Sequence, residues 1–154
     1  MGSGAPFRLG LLVCGHVHPA ALDLGGDYPE LFAPLFGPHG IEIVPFAVDE
    51  GQLPAAVDDC DGWVTSPSRQ SVLDEAAWIA GLGDFVGAVL DAERPFLGIC
   101  FGHQLVAHLR GGRVERAAVG WGVGVKDYEV CEQRSWMEPE RPAVALVASH
   151  FGVA

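Results

Sequence analysis

Residues 95–112 read PFLGICFGHQLVAHLRGG, and a lone cysteine, Cys100, stands near their middle. The apolar run at residues 95–99 predicts a short buried strand that ends at this cysteine. The apolar spacing of Phe101–Leu109 is typical of a helix, and the two glycines that follow it are a common helix end. The stretch therefore predicts a strand, a sharp turn at Cys100 and a helix.

Two glycines flank the cysteine symmetrically, Gly98 two residues before it and Gly102 two residues after it. Glycines at these places let a strand and a helix approach closely around a strained turn, which exposes a nucleophile at its tip. We expect the positive end of the helix to lower the pKa of the thiol. The N–H of Phe101 would face an oxyanion formed on an attacked carbonyl, so the pattern predicts acyl transfer. A small cysteine buried in a glycine-rich turn is the alternative.

The rest of the chain alternates between strand and helix signals. Strands are predicted at residues 8–14, 41–46, 62–66, 123–130 and 144–148. Helical spacing predicts one helix over Tyr28–Phe36 and another after Asp74, which is the predicted cap of that helix. Fully apolar strands indicate a parallel sheet covered on both faces, whereas the alternation after residue 122 favours antiparallel strands. The order predicts a layered α/β domain.

The composition favours one globular domain. The chain has 154 residues, of which 49% are hydrophobic, and we expect a single domain over residues 1–154 with residues 1–6 disordered. A net charge of −11 would repel nucleic acid and anionic membranes, so neither is an expected partner. No apolar run approaches the roughly 20 residues of a membrane span, and the start of the chain does not resemble a secretory signal.

The four cysteines are spread without Cys-x-x-Cys pairs, which argues against both a zinc site and a disulfide framework. We therefore expect free thiols in a reducing, cytoplasmic environment. His16 and His18 have the spacing of a metal-binding pair but no third ligand, so we predict no metal and no cofactor. His39, in a predicted loop, is assigned no role either.

Residues 98–104, GICFGHQ, resemble the G-x-C-x-G-x-Q signature of class I (triad-type) glutamine amidotransferases. Other segments similar to that family are residues 26–32, 61–66, 111–114, 120–124 and 148–150. The resemblance implies a flavodoxin-like, three-layer α/β domain with a mostly parallel sheet. It also implies hydrolysis of the side-chain amide of glutamine, or of a related γ-glutamyl bond. The pattern is most similar to the stand-alone amidotransferase-like or γ-glutamyl peptidase-like members.

The resemblance also implies roles for residues at the elbow and in the turn after the third strand. Cys100 would be the nucleophile that forms a γ-glutamyl thioester, and Phe101 would supply one oxyanion N–H. The turn at residues 66–68 would supply the other. The family usually has glycine in that turn, but Pro67 has no N–H, so the donor would be Ser66 or Ser68.

For the substrate, the resemblance implies contacts from Gln104, Ser149 and His150. The family's general base is a histidine in a His-x-Glu motif some tens of residues beyond the Ser-His segment, and this sequence stops at Ala154. The chain therefore resembles the first two thirds of the domain, with an altered or truncated tail. Such a fragment would expose apolar sheet surface, through which it could self-associate or bind a complementing partner.

Three functional hypotheses stay open. The first is a hydrolase of the glutamine amidotransferase type; His103 and His108 are poor replacements for its base, because a base must approach the sulfur from the opposite side of the pocket. The second is a catalytically inactive protein that binds glutamine or a γ-glutamyl ligand, or another protein. The third is a redox or glyoxalase-like member of the wider fold group, which would normally have histidine where this chain has Phe101.

Overall fold

The computed structural model describes residues 5–116, 118, 120–150 and 152–153. Contacts between these residues divide the chain into two compact units. The first reaches Val114, and the second is Glu115–Val153. The single domain expected from length and composition stays a prediction. Most of the stretch predicted to be disordered, residues 1–4, lies outside the described residues.

The first unit is built on a sheet of four parallel strands in the order β2-β1-β3-β4. The strands are β1 (Phe7–Val13), β2 (Ile41–Ala47), β3 (Gly62–Thr65) and β4 (Phe96–Leu97). β1 pairs with β2 on one side and with β3 on the other, so the strand order reverses at β1. In open parallel sheets, ligands bind at the carboxyl ends of the strands next to such a reversal. The predicted α/β class with a mostly parallel sheet is confirmed.

Three helices accompany this sheet, together with short 3-10 segments at Pro19–Leu24, Gly37–His39 and Val48–Glu50. The helices are α1 (Tyr28–Phe36), α2 (Ala77–Asp91) and α3 (Phe101–Leu109), and α1 and α3 have the predicted bounds. The predicted cap of α2 is wrong: its N-cap is Ala76, which makes no side-chain hydrogen bond there. Asp74 instead accepts the N–H of Ser71, 2.9 Å away, in the preceding turn.

The side chains of the sheet form two apolar clusters, because successive residues of a strand point to opposite faces. On one face, Leu11 and Val64 pack with Phe32 of α1. On the other, Leu12 and Trp63 pack with residues of both α2 and α3. The first unit therefore has the three layers expected, with a helix layer on each side of the sheet.

Trp63 occupies the centre of the larger cluster, and a glycine on the neighbouring strand makes room for it. The tryptophan is fully buried, and its ring centroid lies 4.8 Å from that of Phe85. Gly10 of β1 stands directly beside Trp63 in the sheet, and a Cβ added to this glycine would lie 2.3 Å from the ring. The indole N–H donates to the carbonyl of Val57 at 3.0 Å, so the ring has a fixed orientation.

The second unit consists of antiparallel strand pairs. β6 (Gly122–Glu129) pairs with β7 (Ala143–His150), which confirms the antiparallel prediction. β5 (Glu115–Arg116) pairs with β8 (Gly152–Val153); neither was predicted, since two residues are too few for a periodic signal. Three valines of the β6–β7 pair are exposed: Val123 by 67%, Val125 by 68% and Val147 by 85%.

Within the described part of the chain, no helix has both the length and the apolar character that crossing a membrane requires.

We predict that Gly10→Ala lowers the free energy of unfolding by about 1–3 kcal/mol, because the new methyl group overlaps the Trp63 ring. Gly87→Ala is the matched control: it lies within α2 with open space around it, and the same change should stabilise by about 0.5–1 kcal/mol. Urea unfolding measures both. Equal effects of the two substitutions would contradict the close packing of β1 against Trp63.

Candidate active site

Cys100 lies at the junction of a strand and a helix, in a backbone conformation that side chains rarely adopt. Pairing of β4 with β3 ends at Leu97, and α3 begins at Phe101. Between them Cys100 has φ +51° and ψ −97°. Such a conformation costs on the order of 1–3 kcal/mol and persists only where the surroundings impose it. The sulfur-bearing residue is exposed, so the strand, turn and helix predicted from the sequence form an elbow with an accessible thiol.

The two glycines of the elbow are required by close contacts. A Cβ on Gly98 would lie 2.8 Å from backbone atoms of Gly102, at the start of α3. A Cβ on Gly102 would lie only 1.8 Å from the hydroxyl oxygen of Thr65, at the end of β3. Any side chain at either position would push the helix away from the sheet. The reason predicted for these glycines, close approach of strand and helix, is therefore what the structure shows.

The electrostatic prediction for the thiol is wrong in sign. Loss of water around the sulfur raises the pKa of Cys100 above its ordinary value, although the neighbouring N–H of Phe101 acts in the opposite direction. Desolvation penalises the thiolate more than a single N–H at the helix end compensates. A raised pKa favours the protonated thiol, so a reaction at this sulfur needs a base.

The two serines proposed as oxyanion donors differ in whether their N–H groups are already hydrogen-bonded. Ser66 is fully buried, and its N–H donates to the carbonyl of Leu12 at 3.0 Å, so this N–H does not serve an oxyanion. Its hydroxyl is engaged as well, donating to Pro67 and accepting the N–H of Cys14. Ser68 is half-buried, and its N–H makes no hydrogen bond within the described residues. Of the two, only Ser68 stays a candidate.

The residues predicted to bind substrate lie in different units. Gln104 is half-buried in α3, and its N–H donates to the carbonyl of Cys100 at 3.1 Å. Ser149 is exposed in β7, opposite Val123, and His150 is the last residue of that strand. Their approach to Cys100 stays a prediction.

Sequence reasoning missed a polar cluster around His16, which follows β1 at the carboxyl edge of the sheet. Its Nδ1 lies 2.5 Å from a carboxylate oxygen of Asp27, and its Nε2 lies 3.4 Å from one of Asp49. Asp27 also accepts the N–H groups of Val17 and Tyr28 and caps α1. The capping of α1 by Asp27 could have been predicted from the sequence, because Glu30 follows three residues later in the spacing of a capping box. No short-range sequence pattern indicated that His16 pairs with Asp27.

No hydrogen bond joins His18, His103 or His108 to the Cys100 thiol within the described residues. His18 accepts the N–H of Ala20 and caps the first 3-10 segment. His103 and His108 are exposed on α3, and within the described residues neither hydrogen-bonds Cys100. The part of the chain that the structure describes contains no group of three or more His, Cys, Asp or Glu side chains placed to hold a metal ion.

The family assignment now has independent support. The model of the family "Glutamine amidotransferase class-I" matches residues 30–141, well over half of the chain. This match includes the elbow and all three helices except the first two residues of α1. The chain belongs to the class-I glutamine amidotransferase family.

Its relatives include two proteins of Arabidopsis thaliana. Gamma-glutamyl peptidase 3 is 32% identical over 133 residues, covering 81% of this chain and 53% of the peptidase. Gamma-glutamyl peptidase 4 is 37% identical over 97 residues, covering 62% of this chain and 39% of the peptidase. The chain thus spans about half the length of these relatives, or less.

A solved glutamine amidotransferase from Thermotoga maritima has a similar fold, with a TM-score of 0.78 at 19% identity. The match covers 96% of this chain and 61% of that one. It confirms the flavodoxin-like α/β fold.

The His16 cluster predicts a pH-dependent stability. The hydrogen bond to Asp27 raises the pKa of His16 above its ordinary 6.5. Protonated His16 therefore contributes fully to the stability of the fold below pH 6.5, and this stabilisation is lost as pH rises through the raised pKa. Desolvation raises the pKa of Asp27, but hydrogen bonds from Val17, His16 and Tyr28 outweigh it and lower that pKa below 3.8. The contribution of Asp27 is therefore lost only in stronger acid.

We predict that His16→Gln destabilises the protein most between about pH 4 and 6.5, and less as pH rises further. Thermal unfolding across this range, with His39→Gln as a control, measures the difference. A destabilisation that grows above pH 7 would contradict the pairing of His16 with the two carboxylates.

Proposed function

We propose that this chain carries the nucleophile of a γ-glutamyl amide hydrolase. The sulfur of Cys100 attacks the side-chain carbonyl of glutamine, or the γ-glutamyl carbonyl of a small peptide, and forms a γ-glutamyl thioester. The C–N bond breaks, and the leaving ammonia or amine takes up a proton. Water then hydrolyses the thioester, which releases glutamate and restores the thiol.

The observation that carries this proposal is the conformation of Cys100. A cysteine held with positive φ at the beginning of a helix, as an exposed residue, is costly in a structural turn and useful for a nucleophile. The family and the two plant relatives support the γ-glutamyl group as the substrate, because the relatives are named for peptidases of that bond.

The elbow also supplies a donor for the charge that develops during attack. The N–H of Phe101 belongs to the first residue of α3, so it has no partner within the helix and lies next to the nucleophile. When the sulfur bonds to the carbonyl carbon, this N–H can donate a hydrogen bond to the oxyanion that forms on the carbonyl oxygen. Ser68, in the turn after β3, is the proposed second donor.

The raised thiol pKa makes a general base a requirement of this mechanism. Neither His103 nor His108 hydrogen-bonds Cys100 within the described residues, and both ring nitrogens of His16 face carboxylates. These observations favour a second candidate: a protein that binds glutamine or a γ-glutamyl ligand beside the elbow without turning it over. The two candidates share the elbow and differ in chemistry.

For the first candidate, we predict that the purified chain releases ammonia from glutamine, or glutamate from glutathione, and that Cys100→Ala abolishes this release. Cys131→Ala is the matched control, because Cys131 is the other exposed cysteine among the described residues. Mass spectrometry of the quenched reaction should show one glutamyl group on Cys100. Equal turnover by Cys100→Ala would rule out the nucleophile.

For the second candidate, calorimetry should detect binding of glutamine or a γ-glutamyl dipeptide without product formation. Gln104→Ala, on the elbow helix, should weaken this binding by roughly fivefold, the value of one hydrogen bond. Gln52→Ala, on the exposed loop after β2, is the control and should bind like the unaltered chain. Turnover by the purified chain would exclude this candidate.

A further inference from the structure

Thr65 is the only threonine of the chain, and it is a fully buried polar residue at the carboxyl end of β3. Its hydroxyl oxygen accepts the N–H of Ile99 at 3.2 Å. Ile99 immediately precedes Cys100 and lies beyond the last ladder pair of β4, which is Val64 with Leu97. The Thr65 hydroxyl therefore links β3 to the chain just beyond the point at which the backbone pairing of β3 with β4 ends. If the hydroxyl were removed, the N–H of Ile99, which is a half-buried residue, would lose this hydrogen-bond acceptor.

The same side chain also bounds the elbow on its helical side. A Cβ on Gly102 would meet the Thr65 hydroxyl oxygen at 1.8 Å and the Thr65 Cβ at 2.8 Å. The first turn of α3 therefore lies directly against Thr65. One side chain thus contacts the residue before Cys100 and the second residue after it.

The elbow needs such a constraint because its own backbone is strained. Cys100 has φ +51° without the freedom of glycine, and β4 is only two residues long, so few ladder bonds oppose relaxation. If the elbow relaxed, Cys100 would lose its place at the N-terminus of α3, where it is the N-cap residue. The free N–H groups at a helix N-terminus favour a thiolate.

We propose that Thr65 is a positioning residue for the Cys100 thiol: its hydroxyl ties the strand side of the elbow to β3, and its contact with Gly102 holds Cys100 at the N-terminus of α3. This rests on the proposed role of Cys100 as the nucleophile. Thr65 does not touch the reacting atoms, and it acts through Ile99 and Gly102.

The test is the pH dependence of Cys100 alkylation by iodoacetamide, followed on the Cys100 peptide by mass spectrometry. All variants carry Cys131→Ser, because Cys14 and Cys60 are buried and Cys131 is exposed. Thr65→Val keeps the branched shape and removes the hydroxyl. We expect its alkylation midpoint to move to higher pH, and its rate at pH 7 to fall roughly fivefold, the effect of one lost hydrogen bond. Thr65→Ser keeps the hydroxyl and should stay within about twofold of the parent.

A matched control separates positioning from general loss of stability. Ile41→Val removes one methylene at the start of β2, at the end of the sheet away from the elbow, and should leave the midpoint unchanged. An unchanged or lowered midpoint in folded Thr65→Val, or an equal rise in Ile41→Val, would overturn the proposal.

If Thr65→Val does not fold, Thr65→Ala and Thr65→Ser make the same comparison, because both lack the methyl group and only serine has the hydroxyl. A higher midpoint in Thr65→Ala supports the proposal, and equal midpoints overturn it. Alkylation needs neither substrate nor base, so the result is independent of whether the chain hydrolyses γ-glutamyl compounds.

Discussion

The contact between Gly102 and Thr65 brings α3 against the end of β3, and the geometry of the candidate site depends on it. The side chain of Thr65 lies so close to Gly102 that no side chain fits on the glycine, and Cys100, two residues before it, has positive φ. The helix is further seated by Phe101, which is buried with its ring 5.5 Å from that of Trp78. The cost of the strained cysteine is offset by packing on both sides of it.

The electrostatics of the Cys100 thiol follow from its loss of water. Desolvation raises the pKa of this thiol, and the neighbouring N–H of Phe101 opposes the rise without cancelling it. His16, at the same edge of the sheet, is held between the carboxylates of Asp27 and Asp49. His16 therefore serves the connection between β1 and α1. Generating a thiolate at this elbow requires another group, or a substrate whose binding changes the environment of the sulfur.

Local signals in the sequence were sufficient where structure depends on near neighbours. The bounds of α1 and α3 follow from apolar spacing that ends at glycines, and the flanking glycines of the elbow were interpreted correctly because their constraint is steric. Prediction failed where another hydrogen bond competed with the predicted one. The carboxylate of Asp74 accepts the N–H of Ser71 in the turn before α2. The N–H of Ser66 donates to the carbonyl of Leu12, which is far away along the chain in β1.

By itself, the sequence determined the class of fold, the family and the identity of the elbow cysteine, because strand and helix periodicity and the Gly-x-Cys-x-Gly spacing are properties of short segments. Only the tertiary structure decided the direction in which the pKa of the Cys100 thiol moves, the engagement of the Ser66 N–H and the partners of His16. These properties depend on which atoms exclude water or supply hydrogen bonds. Such atoms come from strands and loops that are distant in sequence and adjacent only after folding.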